Sequence, residues 1–365
     1  MFAVMKPMIR TMTSVFELRA VRLCLGLIVL FAMLDPHAGA NYQSQSQKDP
    51  LFGFAINARV VTQFPDFLPY YGVTSVTPDN AMKMETIYGC DGWFDFSAAD
   101  QLLDYADWYG FEFHGHAVVW HRQTSWCADW YTKDDYETYV RTVVGHYCGR
   151  VPSMDIVNEA LGNTTRYRTE EESVWKRLYG NDDYIVDAFR WARDTCPEMK
   201  LYYNDYLIEW GVKAERMLSL VRRLANDGII DGVGFQAHLD RHAKLDRFAE
   251  TMDRVAELGL EFAISELDVR LGEPHWELSI EDLQVQADIY REVAQLCLER
   301  PACVRLTVWG IDDGHSWINT DYEFGQIPDA PLLFDRGFWP KPAYCDGIQD
   351  VLSLPEGDCP LVEGG

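Results

Sequence analysis

Short apolar, β-branched runs recur eight times along this chain, each followed by a helical or loop stretch. The runs are Phe52 to Ile56, Val73 to Val76, Phe111 to Val119, Met154 to Asn158, Lys200 to Tyr203, Gly232 to His238, Glu261 to Ser265 and Val304 to Val308. Near-continuous apolar runs of this length read as buried parallel strands. Between them, Ser97 to Tyr109, Lys133 to Tyr147, Tyr184 to Thr195, Val212 to Asn226, Leu245 to Leu258 and Ile280 to Glu299 space apolar residues three and four apart. Ser97 reads as the N-cap of the first of these helices, which should bury Leu102, Leu103, Tyr105 and Ala106. Gly228 and Gly259 fall just past helices, where left-handed residues belong. Strands alternating with helices imply right-handed crossovers between parallel strands. Eight such units predict an α/β fold, a (β/α)₈ TIM barrel. A doubly wound open sheet is the alternative, but no Gly-rich phosphate loop follows the first strand.

A chain of 365 residues allows one large barrel or two average domains. No Pro/Gly/Ser-rich linker or short repeat interrupts it, which favours a single domain over residues 41–365. The first forty residues read differently. Lys6, Arg10, Arg19 and Arg22 precede the apolar run Leu23 to Leu34, and Ala38-Gly39-Ala40 follows. That order predicts a signal peptide over residues 1–40, removed to leave Asn41 first, and hence a secreted protein, extracellular or periplasmic. The run is too short to span a bilayer, so no membrane partner is expected.

Export makes disulfides the expected use of the eight remaining cysteines, although eight allow 105 pairings. Local spacing favours Cys297–Cys303 and Cys345–Cys359, which would leave Cys90–Cys127 and Cys148–Cys196. Each bridge can add roughly 2–4 kcal/mol by constraining the unfolded chain. Net charge is −25, with no basic cluster after the N-terminus, so nucleic acid is not an expected partner. A polyanionic substrate is disfavoured too, unless local charge runs opposite to the total. Aromatic residues make up 13% of the chain, consistent either with core filling or with a sugar-binding surface.

In a barrel the C-terminal strand ends build the active site, and here those ends are polar. Strand two runs into Asp79-Asn80-Ala81-Met82-Lys83, and strand three carries His114, His116, Trp120 and His121. Strand four ends in Asn158-Glu159 and strand five in Asn204-Asp205-Tyr206. Strand six ends with Gln236 and His238, strand seven with Glu266 and Asp268, strand eight with Trp309 and Asp312. Two carboxylates at strand ends suit glycosidic-bond hydrolysis: one gives a proton to the leaving oxygen, the other stays ionised. His114-Gly115-His116 has a metal-ligand spacing as well, but it lies on strand three and no metal-bridging lysine is evident, so no metal is expected.

From Leu51 to Ile348 the chain resembles the family-10 glycoside hydrolases, chiefly endo-β-1,4-xylanases. The resemblance rests on Asp79-Asn80-Ala81-Met82-Lys83, Gly115-His116-Ala117-Val118-Val119-Trp120-His121, Asp155-Ile156-Val157-Asn158-Glu159-Ala160 and Tyr203-Asn204-Asp205-Tyr206. Gln236-Ala237-His238-Leu239, Ser265-Glu266-Leu267-Asp268-Val269, Trp309-Gly310 with Asp312 and Ser316-Trp317, and Pro340-Lys341-Pro342-Ala343-Tyr344 complete it. It implies Glu159 as general acid/base and Glu266 as nucleophile of a retaining hydrolysis. His238 would bond Glu266, Asp268 would orient that imidazole, and Asn158 would hold the sugar 2-hydroxyl. Asn80, Lys83, His116, Trp120 and Gln236 would line the non-reducing side of the cut. Trp309 and Trp317 would form an aromatic floor and wall, with Tyr206 nearer the leaving group.

The implied substrate is xylan or a related β-1,4-linked polysaccharide, and the implied protein is a monomer without a cofactor. A β-1,4-glucanase or another β-glycosidase on the same barrel, or a non-catalytic polysaccharide-binding barrel, is the alternative; the last usually lacks one carboxylate, and both are present here. The chain departs from the family pattern at Asp79, where Glu is usual, and at Met84, where Trp is usual. The segment Arg122 to Trp126 lacks the usual proline, and Arg336-Gly337-Phe338-Trp339 is unusual. Asn163-Thr164-Thr165 is a glycosylation sequon close behind Glu159.

Overall fold

The computed structural model describes residues 49–163, 166–320, 327–357 and 359. The expected signal peptide and its cleavage point lie outside these residues, as do Thr164 and Thr165 of the sequon. The strands are β1 (Leu51–Ile56), β2 (Ser75–Pro78), β3 (Glu112–Gly115), β4 (Ser153–Asn158), β5 (Lys200–Asp205), β6 (Gly232–Phe235), β7 (His238–Asp240), β8 (Glu261–Arg270) and β9 (Cys303–Val308). They follow the order β6-β5-β4-β3-β2-β1-β9-β8, and β6 pairs with β8 to close the ring. Every pairing in that ring is parallel. The closed eight-stranded barrel is the expected one, with β7 a short extra strand beside β8.

The long helices sit where apolar spacing puts them: Ser97–Tyr109, Lys133–Tyr147, Asp183–Thr195, Gly211–Asn226, Leu245–Ala256 and Ile280–Leu298. Thr132 with Asp135, and Ser279 with Asp282, close reciprocal capping boxes on two of them. Ser97 is not a cap. Phe96 holds that position, and the Asp95 carboxylate accepts the Ser97 N–H at 2.9 Å instead. In this helix Leu102, Leu103 and Ala106 are buried, while Tyr105 is half-buried and donates its hydroxyl to Pro65 O. Gly228 and Gly259 have φ of +69° and +76°, as their places after helices require. The short helix Val174–Tyr179 has too few residues for a periodic signal and was not expected.

Three strands differ clearly from the sequence reading. The strand expected over Glu261 to Ser265 runs on to Arg270, so Glu266 and Asp268 lie inside it rather than past its end. The Phe111 to Val119 run holds regular pairing only over Glu112–Gly115, after which Val118 and Val119 rejoin β4 through single bonds to Asp155 O and Ile156 O. The Gly232 to His238 run breaks after Phe235, because Ala237 adopts φ +55° and cannot continue the ladder.

All four disulfides form with the pairing that local spacing left: Cys90–Cys127, Cys148–Cys196, Cys297–Cys303 and Cys345–Cys359. At the N-terminal ends of the strands the barrel interior is polar, with Arg305 buried beside Tyr202, whose hydroxyl donates to Glu261.

At one position strand spacing itself sets the site. A Cβ on Gly234 of β6 would lie 2.2 Å from Asn204 Oδ1 of β5. Gly234→Ala should therefore cost about 1–3 kcal/mol by overpacking, seen as a lower Tm. It should also reduce turnover, because Asn204 touches a cleft carboxylate. A variant that melts and works like the wild type would contradict this coupling.

Candidate active site

The C-terminal strand ends open into a cleft of about 850 Å³. Of the thirteen residues expected to form the site, twelve line it: Asn80, Lys83, His116, Trp120, Asn158, Glu159, Tyr206, Gln236, His238, Glu266, Trp309 and Trp317. The thirteenth, Asp268, is fully buried beneath it.

Glu159 follows β4 with φ +56°, a left-handed conformation rare for a residue with a side chain. In regular strand geometry Asn158 and Glu159 would face opposite sides; the left-handed turn lets both reach the cleft. The Glu159 N–H donates to Asn204 O at 2.9 Å, and Arg168 Nε donates to Glu159 O at 2.7 Å, which fixes the turn. Its Oε1 accepts from Gln236 Nε2 at 3.0 Å and Asn158 Nδ2 at 3.2 Å. Its Oε2 lies 3.6 Å from Arg168 Nη2 and 3.8 Å from His121 Nδ1.

Burial pushes the Glu159 carboxyl up, but His121, Gln236, Trp120 and Arg168 together hold it below the usual carboxylate range. The share owed to His121 needs a charged imidazole, and burial holds His121 down to about 4. Near neutral pH, then, the permanent cation beside Glu159 is Arg168.

Glu266 lies within β8. Its Oε1 accepts from Asn204 Nδ2 at 2.7 Å, and its Oε2 lies 3.3 Å from His238 Nε2. The other ring nitrogen, His238 Nδ1, is 2.8 Å from Asp268 Oδ2, and Trp317 Nε1 donates to the same oxygen at 2.9 Å. Burial alone would lower His238, but Asp268 and Glu266 outweigh it and raise the imidazole to about 10. His238 is thus a half-buried cation between two carboxylates.

The remaining walls divide by chemistry. Lys83 Nζ donates to Asn80 Oδ1 at 2.9 Å and sits 4.7 Å from the Trp120 ring centre. Burial pushes Asp79 up and Lys83 down, and each partly offsets the other. The Trp309 ring meets His116 edge-on at 5.1 Å. His114 and His116 both turn to Asp155, with nitrogen–oxygen distances of 3.1 and 2.8 Å. On the opposite side Arg168 Nη2 donates to the Tyr206 hydroxyl at 3.1 Å, and that hydroxyl donates to Asn163 Oδ1.

Several contributors escaped the sequence reading. His121, read as structural, lines the cleft beside Glu159. Gln123 lines it too and donates to Asn80 Oδ1 at 3.1 Å. Arg168 lies in an irregular stretch where no spacing rule applies. Asn204 was visible as a strand end, but nothing in one sequence marks it as the bridge between the two glutamates.

The pattern of glycosyl hydrolase family 10 matches residues 42–350. This chain belongs to glycosyl hydrolase family 10. It is 37% identical over 314 residues to endo-1,4-beta-xylanase A of Cellvibrio japonicus, covering 76% of this chain and half the length of that relative. It is 35% identical to endo-1,4-beta-xylanase B of Thermotoga neapolitana, covering 74% of this chain and 78% of that one. The fold matches xylanase 10B from Thermotoga maritima with a TM-score of 0.75 at 33% identity, over 84% of this chain and 96% of that one. Xylanase 10B from Thermotoga petrophila, solved with xylobiose, matches at 0.75 and 32% identity, over 86% and 99%. The family-10 protein described here is a glycoside hydrolase.

The charge on His238 has a measurable consequence for stability. Its folded value of about 10 lies above the ordinary 6.5, so the folded state holds the proton more tightly than the unfolded chain. The stabilisation is complete below pH 6.5 and is lost as pH rises through about 10. His238→Gln should flatten the decline of Tm across that window, read by thermal melts of both proteins. Parallel pH profiles would contradict it.

Proposed function

We propose that this protein is a secreted endo-1,4-β-xylanase that cuts internal bonds of xylan with retention of anomeric configuration. The catalytic domain is residues 41–365 after loss of residues 1–40, working as a monomer without a cofactor. The observation that carries this reading is that Glu159 and Glu266 share one cleft, joined through Asn158 and Asn204, in a family-10 chain with endo-1,4-beta-xylanase relatives.

Glu266 is the proposed nucleophile. Asn204 and the His238 imidazolium steer its two oxygens, leaving a lone pair to attack the anomeric carbon. Glu159 is the proposed acid/base, protonating the leaving oxygen and then taking a proton from water. In the empty cleft it is held below the usual carboxylate range. Substrate excludes water and adds to the burial that pushes it up, so the acid form belongs to the complex. Asn158, whose Nδ2 donates to Glu159 Oε1, is the proposed holder of the sugar 2-hydroxyl.

Asn80, Lys83, His116, Trp120 and Gln236 supply polar contacts on the non-reducing side. Trp309 and Trp317 supply flat apolar faces, and Tyr206 stands on the leaving-group side with Arg168. Xylose, lacking the hydroxymethyl group of glucose, fits walls crowded by two tryptophans.

Reducing-sugar release from xylan should exceed that from β-glucan; the reverse order would make this a glucanase, and no release from either would sink the enzyme reading for polysaccharides of this type. Glu266→Ala should lower turnover by roughly 10⁴-fold or more, and a small external anion should restore it with an inverted product. Proton NMR of early wild-type products should show the β-anomer first. An α-anomer first would overturn retention and both role assignments.

A further inference from the structure

Trp93, Trp126 and Trp130 are 73%, 72% and 70% exposed. A packed tryptophan hides 150–250 Å², so three in water within one small lobe forgo a large burial. They are not on mobile ends. Trp126 and Trp130 begin and end one 3₁₀ helix, with ring centres 5.3 Å apart and planes at 81°. Cys127 between them is bridged to Cys90, three residues before Trp93. The Ser125 hydroxyl donates to Tyr88 O at 2.6 Å, Cys127 N–H points to Cys90 Sγ at 3.2 Å, and Gly89 N–H donates to Trp93 O at 3.0 Å. The lobe is ordered before any ligand arrives, so binding there loses little freedom.

The setting narrows the partner. Asp91, Gly92 and Asp129 flank the rings in sequence; Asp91 and Asp129 are exposed, Asp129 in an ion pair with Arg177. With a net charge of −25 overall, this disfavours an acidic polymer or an anionic membrane. An apolar protein interface would need apolar neighbours around the rings rather than aspartates. Flat faces with polar edges suit the C–H faces and hydroxyl rims of neutral pyranose rings. Continuity with the cleft points the same way. The segment Trp120-His121-Arg122-Gln123 lines the cleft, and the chain then runs straight into the lobe. Gln123 bonds Asn80, and three residues of chain keep Trp126 within about 11 Å of it, Cα to Cα.

We propose that this disulfide-stapled lobe is a second binding platform for neutral β-1,4-linked polysaccharide, taking the chain where it leaves the Asn80 side of the cleft. The proposal rests on the xylanase reading of the cleft for the identity of that polymer. The test compares the wild type with Trp126→Ala/Trp130→Ala and Trp93→Ala. Retardation in native gels containing soluble xylan is read beside turnover of polymeric xylan and of a short xylo-oligosaccharide that occupies the cleft alone.

Retardation and polymer turnover should fall about threefold to tenfold per ring removed, with short-substrate turnover and Tm unchanged. Trp126→Tyr/Trp130→Tyr should recover most of the loss. Equal retardation in the alanine variants overturns the platform. So does an equal loss on the short substrate, or light scattering that finds a dimer which the alanine variants break. A wild type that cuts neither substrate instead overturns the cleft reading, while retardation still decides the platform.

Discussion

The side chain of Asn204 is the point on which this site depends. Its Nδ2 donates to both Asn158 Oδ1 and Glu266 Oε1, its Oδ1 accepts the Ser265 hydroxyl at 2.6 Å, and its backbone oxygen accepts the Glu159 N–H. One residue near the end of β5 thereby ties the end of β4 to the middle of β8. The glycine at 234 on β6 exists, in packing terms, to leave room for it. A barrel supplies eight strand ends with roughly the right spacing; catalytic geometry needs side chains held far more closely than that. Here the tightening comes from a buried amide whose hydrogen bonds leave no freedom to rotate. Buried networks of this kind rigidify only when all members are satisfied, and the amide of Asn204 is bonded at both ends.

The electrostatic design is uneven between the two glutamates. Glu266 shares a half-buried imidazolium with Asp268, and Trp317 adds a donor to the same Asp268 oxygen. Glu159 instead has neutral amides on one oxygen and the guanidinium of Arg168 at 3.6 Å from the other. At that distance the guanidinium acts as a nearby charge rather than as a hydrogen-bond donor, and the arginine also grips the backbone of the residue it attends. Both the side-chain charge and the left-handed turn at Glu159 therefore answer to one side chain outside the barrel strands.

That contrast explains what the sequence could reveal. Strand and helix positions follow from periodicity, which depends only on which faces are buried, so the barrel and its polar rim were legible. The strand-end residues followed from the barrel. Asn158 and Glu159 both reach the cleft, although strand alternation alone would have sent one of them away from it; only the φ of +56° reconciles them. Strand six broke at Ala237 for a similar reason, since alanine carries no sign of a left-handed backbone. Arg168 and the stapled tryptophans lie in irregular segments, where no repeating pattern exists to be read. Spacing favoured two of the cysteine bridges, Cys297–Cys303 and Cys345–Cys359, because each closes a short stretch of chain; the two longer bridges were only what remained.

Proton placement is the step that ties the fold to the chemistry. An empty cleft that holds Glu159 ionised would make a poor acid, yet the same groups have an evident use in the second half of the proposed cycle, when Glu159 must accept a proton from water. The donors on its Oε1 favour the charged form whenever water fills the cleft. A sugar covering that oxygen removes solvent and adds to the burial that already opposes the charge. His121, held neutral by burial, contributes no fixed charge to resist the change. Glu159 can therefore switch form with occupancy of the cleft, against the nearby charge of Arg168.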